Sequence, residues 1–156
     1  MQYNHSIDAH DLAILRLLQR NNHMPQREIG AEINLSAPAV QRRIKRLEES
    51  GIIRENVAVL DPHKVGRPLT IIVEVKIERE RSDLIDAVKA RFTAAGEVLQ
   101  CFYVTGEADF ILVVSVESMA EYEALTRRLF FADENVRRFR TFVTMDRVKA
   151  TTSLPI

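Results

Sequence analysis

The sequence contains one cysteine, Cys101, in 156 residues, so an internal disulfide is excluded and a zinc site would have no thiolate neighbours. No apolar run reaches the roughly 18 residues of a membrane-spanning helix. The opening MQYNHSIDAHD has neither the basic nor the apolar segment of an export signal. The expectation is a soluble, cytoplasmic protein that does not engage a membrane. Neither sign of charge is in excess, with 22 Lys+Arg against 22 Asp+Glu, so the chain does not coat nucleic acid by bulk charge. All four histidines, His5, His10, His23 and His63, precede residue 64 at no spacing that sets ligands on one helix face. Each reads as a solvated surface residue, and no metal or cofactor is expected. Phosphate loops, Gly-rich dinucleotide fingerprints and nucleophile motifs are missing too. Glu107 and Asp109 could form a carboxylate pair, but they flank a tight turn, where acidic residues are ordinary. Catalysis therefore finds little support.

What is present begins with helical spacing. Asp8 and Asp11 resemble a capping arrangement ahead of Leu12, Ile14, Leu15 and Leu18, whose spacing predicts a helix to about Arg20. Pro25 suits the start of a second helix, Gln26 to Ile33, with Asn34 as a left-handed stop. Ser36 is a good N-cap, Pro38 fits the first turn, and Val40, Ile44 and Leu47 form the inward stripe of a third helix that ends before Gly51. Two helices joined so closely make a helix-turn-helix candidate. Ile52-Ile53 and Val57 to Leu60 read as a short β-ribbon, the wing of a winged variant.

Beyond a linker punctuated by Gly66-Arg67-Pro68, the period changes to two. Ile71, Val73, Val75 and Ile77 alternate with charged residues in a half-buried strand. Ser82 is expected to cap a helix ended by Gly96, followed by a hairpin of Val98–Val104 and Phe110–Glu117. Ser118 with Glu121 then forms a capping box for a helix through Phe131, and Val136–Met145 is the last strand. The order βαββαβ predicts a ferredoxin-like domain, so the whole chain is α+β. Ile111 and Val113 make the second face of their strand apolar, and a sheet with helices on one side leaves that face open. A sheet-to-sheet homodimer follows, with cover from the N-terminal domain as the plain alternative. Cys101, alternating with Leu99 and Tyr103, reads as a small core hydrophobe.

The densest charge lies in the third helix, where Pro38, Ala39, Gln41, Arg42, Lys45 and Arg46 project outward and Arg43 sits at the edge of the apolar stripe. Such a helix fits the major groove of double-stranded DNA, with Gln matched to adenine and Arg to guanine. Residues 1–64 carry nine Lys+Arg against eight Asp+Glu. One copy should thus bind modestly, and a dimer presenting two helices would restore affinity.

Taken together, these residues resemble the Lrp/AsnC (leucine-responsive regulator / asparagine regulator) family of prokaryotic transcription factors. The likeness runs from Asp8, Asp11 and Ile14-Leu15 through Leu35-Ser36 to Glu48, Gly51-Ile52-Ile53 and Leu60-Asp61-Pro62 to Thr105–Phe110 and the tail Val148–Ile156. It implies a winged helix-turn-helix joined to a ferredoxin-like effector domain of the RAM type, dimers that assemble to octamers, and a small amino acid bound between effector domains. Carried over, the recognition helix is Ser36 to Ser50, with Ser36, Pro38, Ala39, Gln41, Arg42, Arg43, Lys45 and Arg46 against DNA. The effector loop matches Tyr103 to Asp109, naming Tyr103, Thr105, Gly106, Glu107 and Asp109, with Thr144 on the last strand facing the same region. Backbone groups at Thr105-Gly106 would receive a carboxylate, and Asp109 or Glu107 would pair with an ammonium. Departures gather on the second helix: His23, Pro25, Gly30 and Asn34 replace commoner Arg, Ser/Thr, Ala and Gly. Gly30 there is expected to cost about 1 kcal/mol relative to Ala.

The expected division is residues 1–60 for DNA binding, 61–69 as linker, 70–149 for effector binding and assembly, and 150–156 as tail. The reading is a sequence-specific, effector-responsive regulator that is not an enzyme. Two rivals are an architectural protein that wraps DNA and a tetrapyrrole (siroheme-type) decarboxylase of similar architecture.

Overall fold

Asp8 closes the first helix on itself. Its carboxylate accepts the Asp11 N–H at 2.9 Å while the Asp11 side chain accepts the Asp8 N–H at 3.1 Å, a reciprocal capping box. In the computed structural model, which describes residues 7–156, this helix is α1 (Ala9–Arg20), followed by α2 (Gln26–Ile33) and α3 (Ala37–Glu49). Pro25 stands one place earlier than expected, as the N-cap of α2. Asn34 adopts φ 56° and turns the chain out of α2, as its tolerance of the left-handed region allows. Ser36 caps α3 through the Ala39 N–H. Ile14, Leu15, Ile29, Val40 and Leu47 form the core of this unit, joined by the partly buried Ile44. His10, His23 and His63 are exposed, while His5 lies outside the described residues.

No strand forms between Gly51 and Pro62 among the described residues, so the expected β-ribbon is absent from the single chain. Val57 and Val59 are 67% and 89% exposed, and no strand among the described residues pairs with them. An extended segment without a partner strand gains too little to form a ribbon alone.

The remaining elements are β1 (Leu69–Ile77), α4 (Ser82–Ala94), β2 (Val98–Tyr103), β3 (Phe110–Val116), α5 (Met119–Thr126) and β4 (Val136–Val143). They build one antiparallel sheet in the order β2-β3-β1-β4, the ferredoxin-like arrangement. The helix that begins with α5 does run to Phe131, but Arg127–Phe131 is a single π turn. Arg81 rather than Ser82 is the N-cap of α4, and it makes no side-chain cap bond because a guanidinium has no acceptor for a backbone N–H; it donates to Asp83 instead. The last strand stops at Val143, two residues short of expectation.

Ile71, Val73, Val75, Ile77, Phe110, Leu112, Val114 and Val116 all face the helices, where Phe92 meets Phe110 edge to face and Phe130 meets Phe92 in the same way. Arg67 fastens the end of the linker to this unit by donating to the Ser115 carbonyl at 2.9 Å and to Glu121 at 2.8 Å. By its contacts the chain divides into Leu60–Lys149 and a second unit that combines the residues up to Val59 with Ala150–Ile156. The tail therefore belongs with α1 to α3. There the Gln19 side chain donates to the Leu154 carbonyl at 3.2 Å and accepts its N–H at 2.6 Å. Among the described residues, no helix is long and apolar enough to cross a membrane.

Candidate DNA-binding and effector sites

Helix α3 carries two kinds of cation. Pro38, Gln41, Arg42 and Lys45 form an exposed stripe at helical spacing, and Arg42 has no ion-pair partner among the described residues. Lys45 reaches Glu49 at 3.7 Å, one turn on and in open solvent, a pairing too weak to hold it. Ser36 is occupied as the helix cap, and Ala39 is half-buried beside the stripe.

Arg43 and Arg46 lie on the flank that faces α1. Arg43 donates from Nη1 to Asp8 at 2.7 Å and to Asp11 at 2.8 Å, and Arg46 donates from Nη2 to the second Asp11 oxygen at 2.5 Å. Asp11 is completely buried. The Asp11 N–H, with the Arg43 guanidinium adding to it, lowers the Asp8 carboxyl to a pKa of about 2. The sequence shows the two aspartates as helix-capping residues. Their second role, as partners of two arginines 32 and 35 positions further on, depends on how α1 and α3 cross.

The effector residues expected to act together are scattered in the single chain. The Tyr103 ring lies on the helix side of the sheet, against Phe110 at 5.0 Å between centroids and under the Lys89 ammonium at 5.0 Å. Thr105 and Gly106 sit in the exposed turn between β2 and β3, where Gly106 has φ 125°, open to glycine and strained for other residues. Asp109 is buried, and both its oxygens are used inside the fold. One accepts the Ile77 N–H at 2.8 Å and the other accepts from Lys76 at 3.0 Å. Glu107, by contrast, is the exposed carboxylate of the turn and lies 3.9 Å from Arg140.

Thr144 is at the opposite end of the sheet, and the expectation that it faces the loop is corrected for one chain. Its N–H and Oγ1 both donate to the Thr70 carbonyl, at 3.0 and 2.9 Å, whereas the loop meets β1 at Val75. Five residues of strand separate the two, about 17 Å.

What the loop does adjoin is a shallow charged hollow lined by Glu74, Lys76, Glu107, Ala108, Arg138 and Arg140. Arg140 donates to Glu74 at 2.7 Å, and Arg138 has no carboxylate partner among the described residues. Sequence reasoning did not single out these β1 and β4 residues. The available signal was the Arg-Arg-Phe-Arg run of β4, which alternates across the sheet and puts Arg138 and Arg140 on one face. Cys101 packs against the core, where burial raises its thiol pKa and keeps it protonated, as a core residue should be.

Comparison with known proteins covers both units. Residues 7–54 match the winged helix-turn-helix DNA-binding family, and residues 70–154 match the Lrp/AsnC ligand binding domain. The chain is 45% identical over 154 residues to an HTH-type transcriptional regulator of Sinorhizobium fredii, covering 99% of this chain and 91% of that protein. It is 34% identical to the leucine-responsive regulatory protein of Haemophilus influenzae, over 97% of this chain and 91% of that one. A solved transcriptional regulator of Neisseria meningitidis, in complex with L-Met, has a TM-score of 0.88 at 31% identity and covers 96% of this chain and 97% of its own. These relatives are named as regulators, not enzymes, which sets the decarboxylase reading aside.

Proposed function

Because the chain belongs to the Lrp/AsnC family of transcriptional regulators, we propose that it is a cytoplasmic, sequence-specific regulator whose DNA affinity is set by an amino acid bound between its C-terminal domains. The observation that carries the DNA reading is the exposed Pro38–Gln41–Arg42–Lys45 stripe on the second helix of a helix-turn-helix. Laid in the major groove, it offers a bidentate amide and a guanidinium to base edges, with Lys45 near the backbone.

Assembly follows from what one chain leaves uncovered. The open face of the sheet sets Ile72 against Val113 on one side and Phe142 on the other, with Phe102 beside Ile111. Ile72, Phe102 and Phe142 are 37%, 50% and 46% exposed, and such a continuous apolar face suits a second copy of the chain. The exposed Val57–Leu60 segment can gain its missing strand partner in the same way, and dimers can assemble further, to octamers.

The effector would sit at the 105–109 turn, its ammonium on Glu107 and its carboxylate on Arg138 or on the backbone at Gly106. The L-Met complex of the Neisseria relative supports this ligand class. An effector held between subunits alters DNA affinity by favouring one arrangement of them over another. Fluorescence anisotropy with a duplex from the gene's own upstream region and a shuffled duplex, at about 0.15 M salt, with and without an amino-acid pool, tests the proposal. Preference for the upstream duplex that changes with the pool is expected. Equal binding to both, unmoved by the pool, would favour the architectural reading.

A further inference from the structure

Four cations stand on α3, yet their surroundings divide them sharply. Arg42 is unpaired among the described residues and Lys45 is loosely paired in solvent, whereas Arg43 and Arg46 converge on a carboxylate with no exposure at all. An ionised, buried Asp11 needs those guanidiniums, because a charge removed from water must be matched within hydrogen-bonding distance. The arginines are therefore not at liberty to exchange a carboxylate for a phosphate. Arg46 has 41% of its side chain exposed, so it is Asp11 and not distance from the surface that restrains it.

We propose that Asp11, supported by Asp8, withholds Arg43 and Arg46 from DNA phosphates, so that the carboxylates act as specificity-determining residues. Phosphate contacts strengthen binding to every sequence alike, whereas the readers of base edges strengthen binding to the operator. Neutralising two of four cations internally lowers the sequence-independent share of affinity and leaves Gln41 and Arg42 to discriminate. The inference rests on the DNA-binding reading above and adds to it a reason why a cationic helix carries so little free charge.

The test is the salt dependence of binding by the full chain. Affinity for the upstream and the shuffled duplex is measured from about 0.05 to 0.2 M salt for the wild type and for Lys45→Gln, Arg42→Gln, Arg46→Gln, Arg43→Gln and Asp11→Asn, each checked for folding by circular dichroism. Each phosphate contact contributes about 0.9 to the slope of log K against log salt, roughly a threefold difference in affinity across that range. Lys45→Gln is expected to flatten the slope by up to that amount per protomer bound, and Arg42→Gln to lower the preference for the upstream duplex. Arg43→Gln and Arg46→Gln are expected to leave it unchanged. Asp11→Asn releases the guanidiniums, so it should steepen the slope and tighten binding to the shuffled duplex several-fold, lowering the ratio of specific to non-specific affinity. A helix merely loosened by the substitution would lose affinity for both duplexes. If Asp11→Asn does not fold, Arg46→Gln, whose side chain is partly in solvent, decides alone. A flatter slope in Arg46→Gln, or an unchanged slope and ratio in folded Asp11→Asn, overturns the inference. A wild type that binds neither duplex overturns the DNA-binding reading instead.

Discussion

Gly30 and Leu35 meet backbone to backbone across the turn of the helix-turn-helix. The Leu35 N–H donates to the Gly30 carbonyl at 2.9 Å, and a Cβ placed on Gly30 would stand 2.3 Å from the Leu35 carbonyl oxygen. The helix-propensity gain of about 1 kcal/mol from alanine at this position is thus opposed by a backbone clash that needs movement of the turn itself. Overpacking of this kind costs roughly 1–3 kcal/mol. Gly30→Ala is expected to lower the thermal midpoint, measured by circular dichroism, although it replaces a poor helix former with the best one. A raised midpoint would mean that the turn relaxes without strain.

Acid should loosen the DNA-binding unit in a defined window. The Asp8 carboxyl titrates at about 2 in the fold against about 3.9 in an unfolded chain. Its ionised form therefore favours the fold at all pH values above about 4, and this contribution disappears as the pH falls from about 4 toward 2. Thermal midpoints of the wild type should drop through that window, and those of Asp8→Asn should drop less. Parallel curves would show that Asp8 is not among the groups responsible.

Asp109 should prove to be a residue of the fold. With the Ile77 N–H and Lys76 as its partners, Asp109→Ala leaves a buried donor unsatisfied, at a cost of roughly 1–3 kcal/mol. A lower midpoint is expected, with any weakening of effector response following from it. Glu107→Gln, on an exposed side chain, should leave the midpoint unchanged and weaken amino-acid binding measured by calorimetry. The opposite pattern would return the ammonium contact to Asp109.

Self-association should fail when charge is placed in the open sheet face. Ile72 lies between Val113 and Phe142 in register, so Ile72→Glu puts a carboxylate at the centre of the apolar patch. Sedimentation should then report a smaller species than the wild type with the same secondary structure. An unchanged assembly would place the interface elsewhere.

Local signals made much of this architecture legible. Asp8, Ser36 and Ser118 cap the helices they precede, Asn34 turns out of α2 with positive φ, and the two-residue alternation of Ile71 to Ile77 is the buried face of β1. What stayed hidden depends on pairs brought together by the fold. Asp109 meets β1 across 32 and 33 residues, and Asp11 meets Arg43 and Arg46. Thr144 goes to the far end of the sheet because antiparallel pairing sets the end of β4 beside the start of β1. The ribbon expected at Val57 to Leu60 does not form for a related reason. An alternating run such as Val57 to Leu60 shows that a strand can form, and the partner it needs is not found among the described residues.

Hydroxyl-radical footprinting of the upstream region, with wild type and Arg42→Ala, tests most directly the claim that the outer stripe of α3 reads sequence. The wild type should protect discrete patches repeating every 10 to 10.5 base pairs or a multiple of that. Those patches should disappear in the variant, which is expected to lose about 1–3 kcal/mol per recognition helix while keeping its fold. Uniform protection, or patches unaffected by Arg42→Ala, would contradict it.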